Sequence, residues 1–305
     1  MEARKGMSTS TISLRGVFPP ISTPFDGEGR VHLAALSDNL ERWNKYDLAG
    51  YVVLGSNGEA VYLTEEEKIR VWETARDAVP SGKLLIAGTG CESTQKTIAL
   101  TRKAATAGAD AALLVTPHYY SGRMTSPSLL HHYESVAAAS PIPVMIYNVP
   151  KFTHVDMDAA TIAQASRHPN IAGVKDSSGN IAKLSEVVRL AEPGFQVLAG
   201  TGGFFFAGLS LGAVGGILAL ANVAPRQSIN IQRLHDAGRW EEAAELQRQM
   251  IPVNAAVTAV YGIAGLKAAL DMLGYYGGTV RSPLLELDDT DKRALRQTML
   301  EAGLL

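Results

Sequence analysis

Ile171-Ala172-Gly173-Val174-Lys175-Asp176-Ser177-Ser178-Gly179 carries a short apolar run into a lysine, followed by an acidic, hydroxyl-rich turn that ends in glycine. The run has strand length and the turn has the composition that ends strands. The stretch therefore reads as a short buried strand delivering one amine, that of Lys175, to its C-terminal tip. A buried lysine is rare. Burial disfavours the ammonium and favours the free, nucleophilic amine, which is how a lysine is prepared to form a Schiff base with a carbonyl compound. Taken alone, the stretch also suits a lysine that snorkels from a strand end into solvent.

Runs of the same kind recur on both sides of it, at 17–21, 51–54, 84–87, 111–115, 144–147, 196–199 and 214–218. Segments of helical period separate them, among them 33–43, 94–107 and 127–139. Thr64-Glu65-Glu66-Glu67 is a capping box that opens a helix running to about Ala78. Eight strands alternating with helices predict a parallel sheet, because parallel neighbours need crossovers. Eight such units in this length predict an α/β fold of the closed (β/α)8 TIM-barrel type. After Asn222 strand signals stop, and segments at 227–237, 240–259, 266–273 and 290–300 predict a C-terminal helical extension packed on the barrel. The expected organisation is a disordered leader over 1–13, a barrel catalytic domain over 14–225 and a helical domain over 226–305.

Composition narrows the function. The 305 residues are 46% hydrophobic and 19% charged, enough for a sizeable core and unlike a disordered chain. With 28 basic and 30 acidic residues and no basic tract, neither nucleic acid nor an anionic membrane is an expected partner. The longest apolar run, 209–223, is broken by Gly212, Gly215 and Gly216 and reads as a buried strand, not a membrane span. Cys91 is the single cysteine, which excludes an intramolecular disulfide and suits a reducing cytosol. The polar leader, with a second methionine at Met7, lacks the apolar core of a secretory signal. A cytoplasmic location is expected.

In a barrel of this type the site forms at the C-terminal ends of the strands. Those ends carry Gly55-Ser56-Asn57-Gly58-Glu59, Thr116-Pro117-His118-Tyr119-Tyr120, Tyr147-Asn148-Val149-Pro150, Lys175 and Gly200-Thr201-Gly202-Gly203. The amides and side chains of the first turn suit a carboxylate, and the glycines at Gly200 let a ligand approach the backbone. Each alone has an ordinary structural use as a turn, a packing pair or a helix start. Together they say more. Tyr147 and Lys175 end neighbouring strands about 4.8 Å apart; if both point inward, a hydroxyl and an amine meet at a carbonyl-sized space, where Ser56 could extend a proton relay. Lys45, Lys68, Lys83, Lys96, Lys103 and Lys183 fall on polar helical faces or turns, and Lys151 follows a proline in a loop. His131 and His132 are adjacent and no histidine pair has metal-ligand spacing, so no metal is expected. Gly200 and Gly202 lack the acidic residue and βαβ context of a dinucleotide fingerprint. Cys91 reads as a small packed side chain.

The turn at 55–59, Tyr147 to Pro150, and Gly173-Val174-Lys175-Asp176-Ser177 resemble the N-acetylneuraminate lyase and dihydrodipicolinate synthase superfamily, from about Gly16 to the end of the chain. Gly90-Cys91-Glu92-Ser93-Thr94-Gln95, Tyr119 to Met124, and Gly274 to Gly278 look closest to its 4-hydroxy-2-oxoglutarate aldolases. The resemblance implies a Schiff base at Lys175 without other cofactor, Tyr147 as general acid and base, and Ser56 in the relay. It also implies that Tyr119 is inserted into a neighbouring protomer's site, in a homotetramer built as a dimer of dimers. Ser56 and Asn57 match the turn that binds the 2-oxo acid carboxylate, Gly200 borders the site, and Ser177 is matched to the distal part of the substrate. Dihydrodipicolinate synthases carry an arginine where this sequence has Phe152, and neither phenylalanine nor the adjacent Lys151 replaces its bidentate fork. The expected activity is cleavage of 4-hydroxy-2-oxoglutarate to pyruvate and glyoxylate. The alternatives are dihydrodipicolinate synthase (4-hydroxy-tetrahydrodipicolinate synthase), joining pyruvate to aspartate semialdehyde, and a non-catalytic keto-acid-binding protein.

Overall fold

A computed structural model describes residues 12–305. Eight strands alternate with helices: β1 (Gly16–Phe18), α1 (Leu33–Trp43), β2 (Gly50–Val53), α2 (Glu65–Ala78), β3 (Leu84–Gly88), α3 (Thr94–Thr106), β4 (Ala111–Val115), α4 (Ser126–Ala139) and β5 (Val144–Asn148). There follow α5 (Pro150–Thr153), α6 (Ala159–Ala165), β6 (Ile171–Asp176), α7 (Ile181–Leu190), β7 (Gln196–Ala199), α8 (Phe205–Ser210) and β8 (Gly215–Ile217). Each strand pairs in parallel with its sequence neighbour from β2 to β8, and β8 pairs with β1. The backbone N–H groups of Ala49 and Val52 donate to the carbonyls of Val17 and Pro19, joining β1 to β2. The sheet therefore comes round on itself as the expected (β/α)8 barrel. Helices α9 (Pro225–Asp236), α10 (Trp240–Ala255), α11 (Gly262–Met272) and α12 (Asp289–Glu301) follow.

Side-chain alternation sorts the core. Phe18, Val52, Ile86, Leu113, Met145, Tyr147, Leu198 and Ile217 form the barrel interior. Ala112, Leu114, Val144, Ile146, Val174 and Val197, one position out of step, pack outward against α4, α6 and α7. The amphipathic helices exist because this outer surface gives their apolar stripes somewhere to go, each buried large side chain contributing roughly 1.5–3 kcal/mol. The capping box of α2 is present: Glu67 N–H donates to Thr64 Oγ1 at 3.2 Å, and Thr64 N–H to the Glu67 carboxylate at 2.8 Å.

Three expectations shift. β1 stops at Phe18, short of Ile21, because Pro19 and Pro20 have no N–H to continue the ladder. The apolar run 209–223 is not one strand. It divides into the end of α8, a turn at Gly212 with φ +101°, the three residues of β8, and a 3-10 turn at Ala219–Asn222. Of the leader, 1–11 lies outside the described residues, while the carbonyl of Ile12 accepts a bond from Gln196 Nε2 at 2.9 Å. Among the described residues no helix is long and apolar enough to cross a membrane.

His132, on the buried face of α4, is held at 2.9 Å from Thr94 Oγ1. Burial drags its pKa down from 6.5 to about 4. Between those values the unfolded chain binds a proton that the folded chain refuses, so folding weakens as pH falls through that window. Melting temperature is expected to drop more steeply between about pH 7 and about pH 4 in the wild type than in His132→Gln. Parallel slopes would clear His132 as an acid-labile group.

Candidate active site

In the β5–β6 ladder Tyr147 lies opposite Lys175, and in the β6–β7 ladder Lys175 lies opposite Leu198. Tyr147 and Leu198 both belong to the barrel interior, so the lysine stands on the inward face of β6 while Val174 faces the helices. Lys175 is 3% exposed. Its Nζ sits 3.9 Å from the centroid of the Tyr147 ring, close enough for a cation–π contact when charged. The Tyr147 hydroxyl is 3.3 Å from Ser56 Oγ, and either group can donate. Amine, phenol and hydroxyl thus come from β6, β5 and the turn after β2, all at C-terminal strand ends.

The residue after the lysine is equally constrained. Asp176 points to the opposite face, where its carboxylate accepts from Asn148 Nδ2 at 3.0 Å and from Ser178 N–H at 2.8 Å. Lys183 Nζ is 3.1 Å from the same carboxylate and also bonds Asp156. The expectation that Lys183 occupies a polar helical face is thereby corrected. Its side chain is 8% exposed, between Asp176 at the end of β6 and Asp156 in the segment between α5 and α6. This network pins the end of β6 and so fixes where the neighbouring Lys175 amine points. Gly200 closes the same corner: its carbonyl accepts from Ser177 Oγ at 3.3 Å, and a Cβ on it would stand 2.0 Å from that oxygen.

A cavity of about 430 Å³ opens beside Ser56 and Tyr147, with Val61, His118, Phe152 and Leu284 among its walls, while Lys175, Ser177 and Gly200 are not among the residues that line it. Not every anticipated residue reaches it. The Asn57 side chain donates to Pro20 carbonyl at 3.3 Å. Tyr119 is 77% exposed and packs edge-on against Tyr120, outside this chain's own cavity. Phe152 is half exposed at the mouth, and Lys151 turns away to the carbonyl of Thr258. Cys91 bonds locally, and burial pushes its thiol pKa up, away from the thiolate. Among the described residues no three His, Cys, Asp or Glu side chains converge as a metal site.

Two buried groups escaped the sequence reading. Glu59 and Lys267 form an ion pair at 2.6 Å with side chains 0% and 2% exposed. Glu59 ends the Ser56 turn and Lys267 comes from α11, so only the folded chain shows them as neighbours. An outlier for burial in the apolar stripe of α11 was the one sequence signal for Lys267.

An inward amine and phenol at the rim of a (β/α)8 barrel are groups suited to carbonyl chemistry. Residues 13–302 match the dihydrodipicolinate synthetase family, and the chain belongs to that family of lyases and aldolases. It is 37% identical to a 4-hydroxy-tetrahydrodipicolinate synthase of Methanothrix thermoacetophila, over 93% of this chain and 96% of that one. It is also 37% identical to a probable mitochondrial 4-hydroxy-2-oxoglutarate aldolase of Emericella nidulans, with 94% of each chain covered. Among solved structures, the chloride-inhibited dihydrodipicolinate synthase of Acinetobacter baumannii complexed with pyruvate superposes with a TM-score of 0.92 at 30% identity. That match covers 96% of this chain and all of the other.

The Asp176–Lys183 network is open to direct measurement. Lys183→Met leaves a buried carboxylate without its cation and is expected to cost about 3 kcal/mol in denaturant unfolding. The paired change Asp176→Asn with Lys183→Met should recover part of that loss. An unchanged unfolding midpoint in the single variant would show that the network holds nothing in place.

Proposed function

We propose that the chain is a class I, metal-independent aldolase that cleaves 4-hydroxy-2-oxoglutarate to pyruvate and glyoxylate. The observation that carries this reading is the buried Lys175 amine 3.9 Å from the Tyr147 ring, with the phenol in turn 3.3 Å from Ser56 Oγ. Lys175 attacks the 2-oxo carbon to give a carbinolamine, and loss of water leaves an iminium. Tyr147, bonded to Ser56, supplies the proton that departs with that water and takes up the proton of the substrate's 4-hydroxyl. The C3–C4 bond then breaks, its electron pair passes into the iminium, and glyoxylate leaves. Protonation of the enamine and hydrolysis of the imine return pyruvate and free lysine. The iminium is the electron sink, so the scheme calls on no cofactor.

The carboxylate of the 2-oxo acid is assigned to the backbone amides of the turn at Ser56 and Asn57 and to the Ser56 hydroxyl, and Gly200 and Ser177 are assigned to the remainder of the substrate. Tyr119 is 77% exposed and does not line its own chain's cavity, which supports a role in a partner's site within a homotetramer. Phe152, standing where dihydrodipicolinate synthases carry an arginine, counts against aspartate semialdehyde as acceptor, and the second carboxylate of 4-hydroxy-2-oxoglutarate must likewise be held without a guanidinium at that position. Dihydrodipicolinate synthase is the second reading, supported by the 37% identity to the Methanothrix enzyme.

Borohydride reduction in the presence of pyruvate should attach a three-carbon adduct to Lys175, located by peptide mass spectrometry, and none to Lys267. Lys175→Ala should abolish both adduct and turnover. Tyr147→Phe should lower kcat by roughly 10²–10⁴-fold. An unlabelled Lys175 would remove the mechanism. Parallel assays with glyoxylate and aspartate semialdehyde test the acceptor: a strong preference for the semialdehyde would replace the first activity by the second.

A further inference from the structure

The turn that carries Ser56 ends on a strained residue. Glu59 has φ +52° and ψ +32°, a left-handed conformation that a glutamate adopts only at a cost and keeps only when its surroundings dictate it. Three contacts do so here. Its N–H donates to Ser56 carbonyl at 3.2 Å, one carboxylate oxygen accepts from Arg281 N–H at 2.8 Å, and the other faces Lys267 Nζ at 2.6 Å. Lys267 is held in its turn, donating to Thr279 carbonyl at 2.6 Å and lying 4.2 Å from the centre of the Phe25 ring. Arg281 grips the other end of the segment: its guanidinium makes a bidentate bond to Glu67 at 2.7 and 2.8 Å and donates to Tyr62 carbonyl at 2.8 Å. The chain from Ser56 to the start of α2 is thus clasped by two cations from beyond the barrel.

We infer that the Glu59–Lys267 ion pair is a positioning element for the active site: α11 uses it to hold the Ser56–Asn57 turn in the geometry that brings Ser56 Oγ to the Tyr147 hydroxyl. A buried ion pair is a poor way to gain stability, since apolar residues of similar volume commonly do as well or better. It is a good way to fix one geometry, because a displaced turn leaves a bare charge in the interior. Glu59 sits three residues from Ser56, with a backbone hydrogen bond between them, so displacement of one displaces the other. The catalytic consequence rests on the functional reading above; the structural one does not.

Lys267→Met tests both. Hydrogen–deuterium exchange of peptides covering 54–62 should accelerate in this variant. The pyruvate concentration that half-saturates borohydride trapping on Lys175 should rise roughly tenfold or more, with the trapping rate at saturation changed much less. Glu59→Gln combined with Lys267→Met replaces the charges by a neutral pair and should recover most of both effects. Met299→Ala, in the core beneath α12, lowers overall stability without touching the turn and should leave both readouts near wild type. Unchanged exchange at 54–62 in Lys267→Met, or the same weakening of pyruvate in Met299→Ala, would overturn the inference. If the wild type traps no pyruvate, the functional reading falls and the exchange measurement alone decides the positioning role.

Discussion

Everything at the rim of this barrel is arranged around one expensive placement, an amine on the inward face of β6. A lysine 3% exposed needs something in place of water. The protein offers the face of Tyr147, and among the described residues Lys175 takes part in no ion pair. A ring face attracts an ammonium yet leaves a neutral amine equally well packed. A carboxylate at that spot would commit the nitrogen to its charged, non-nucleophilic form. The identity of the neighbour therefore decides whether a buried lysine is available for chemistry.

Lys183 and Lys267 show the other arrangement. Both are shielded from solvent and both face carboxylates at hydrogen-bonding range. For Lys267, burial pulls the pKa below its usual value while Glu59 pulls it back. The acid next to Lys175 in sequence, Asp176, would be its most immediate counter-ion. Strand alternation turns that carboxylate to the opposite face, and Lys183 occupies it there. One buried lysine is kept free in part because another neutralises its neighbour.

How much of this was legible in the sequence follows from the range of each interaction. Barrel, strand positions and the α2 capping box depend on local patterns, and each was legible at its own position. The Tyr147–Lys175 contact was legible too, because adjacent parallel strands place their C-terminal residues side by side. Strand ends were less accurate where local chemistry cut across hydrophobicity, as at Pro19 and Pro20 in β1. Lys183 and Lys267 were opaque for a different reason. A lysine on a helix looks the same whether it meets water or a carboxylate, and Glu59 lies some two hundred positions from Lys267. Nothing in the periodicity of α11 encodes that partner.

The same distinction separates the groups around the cavity that strands hold from those that loops hold. Lys175 and Tyr147 are anchored by ladder register, and Ser56 by a turn that the Glu59–Lys267 pair ties to α11. Val61, Phe152 and Leu284, on the cavity wall, sit on a turn, a short helix and a loop. Such segments tolerate substitution without disturbing the sheet, so the cavity wall can vary while the strand-borne groups stay in place. Two relatives at the same 37% identity bearing names for two different activities are what this division of labour leads one to expect. Phe152 is then informative beyond its own contact. Where a guanidinium fork could bind a carboxylate, the cavity wall of this chain offers the apolar ring of Phe152.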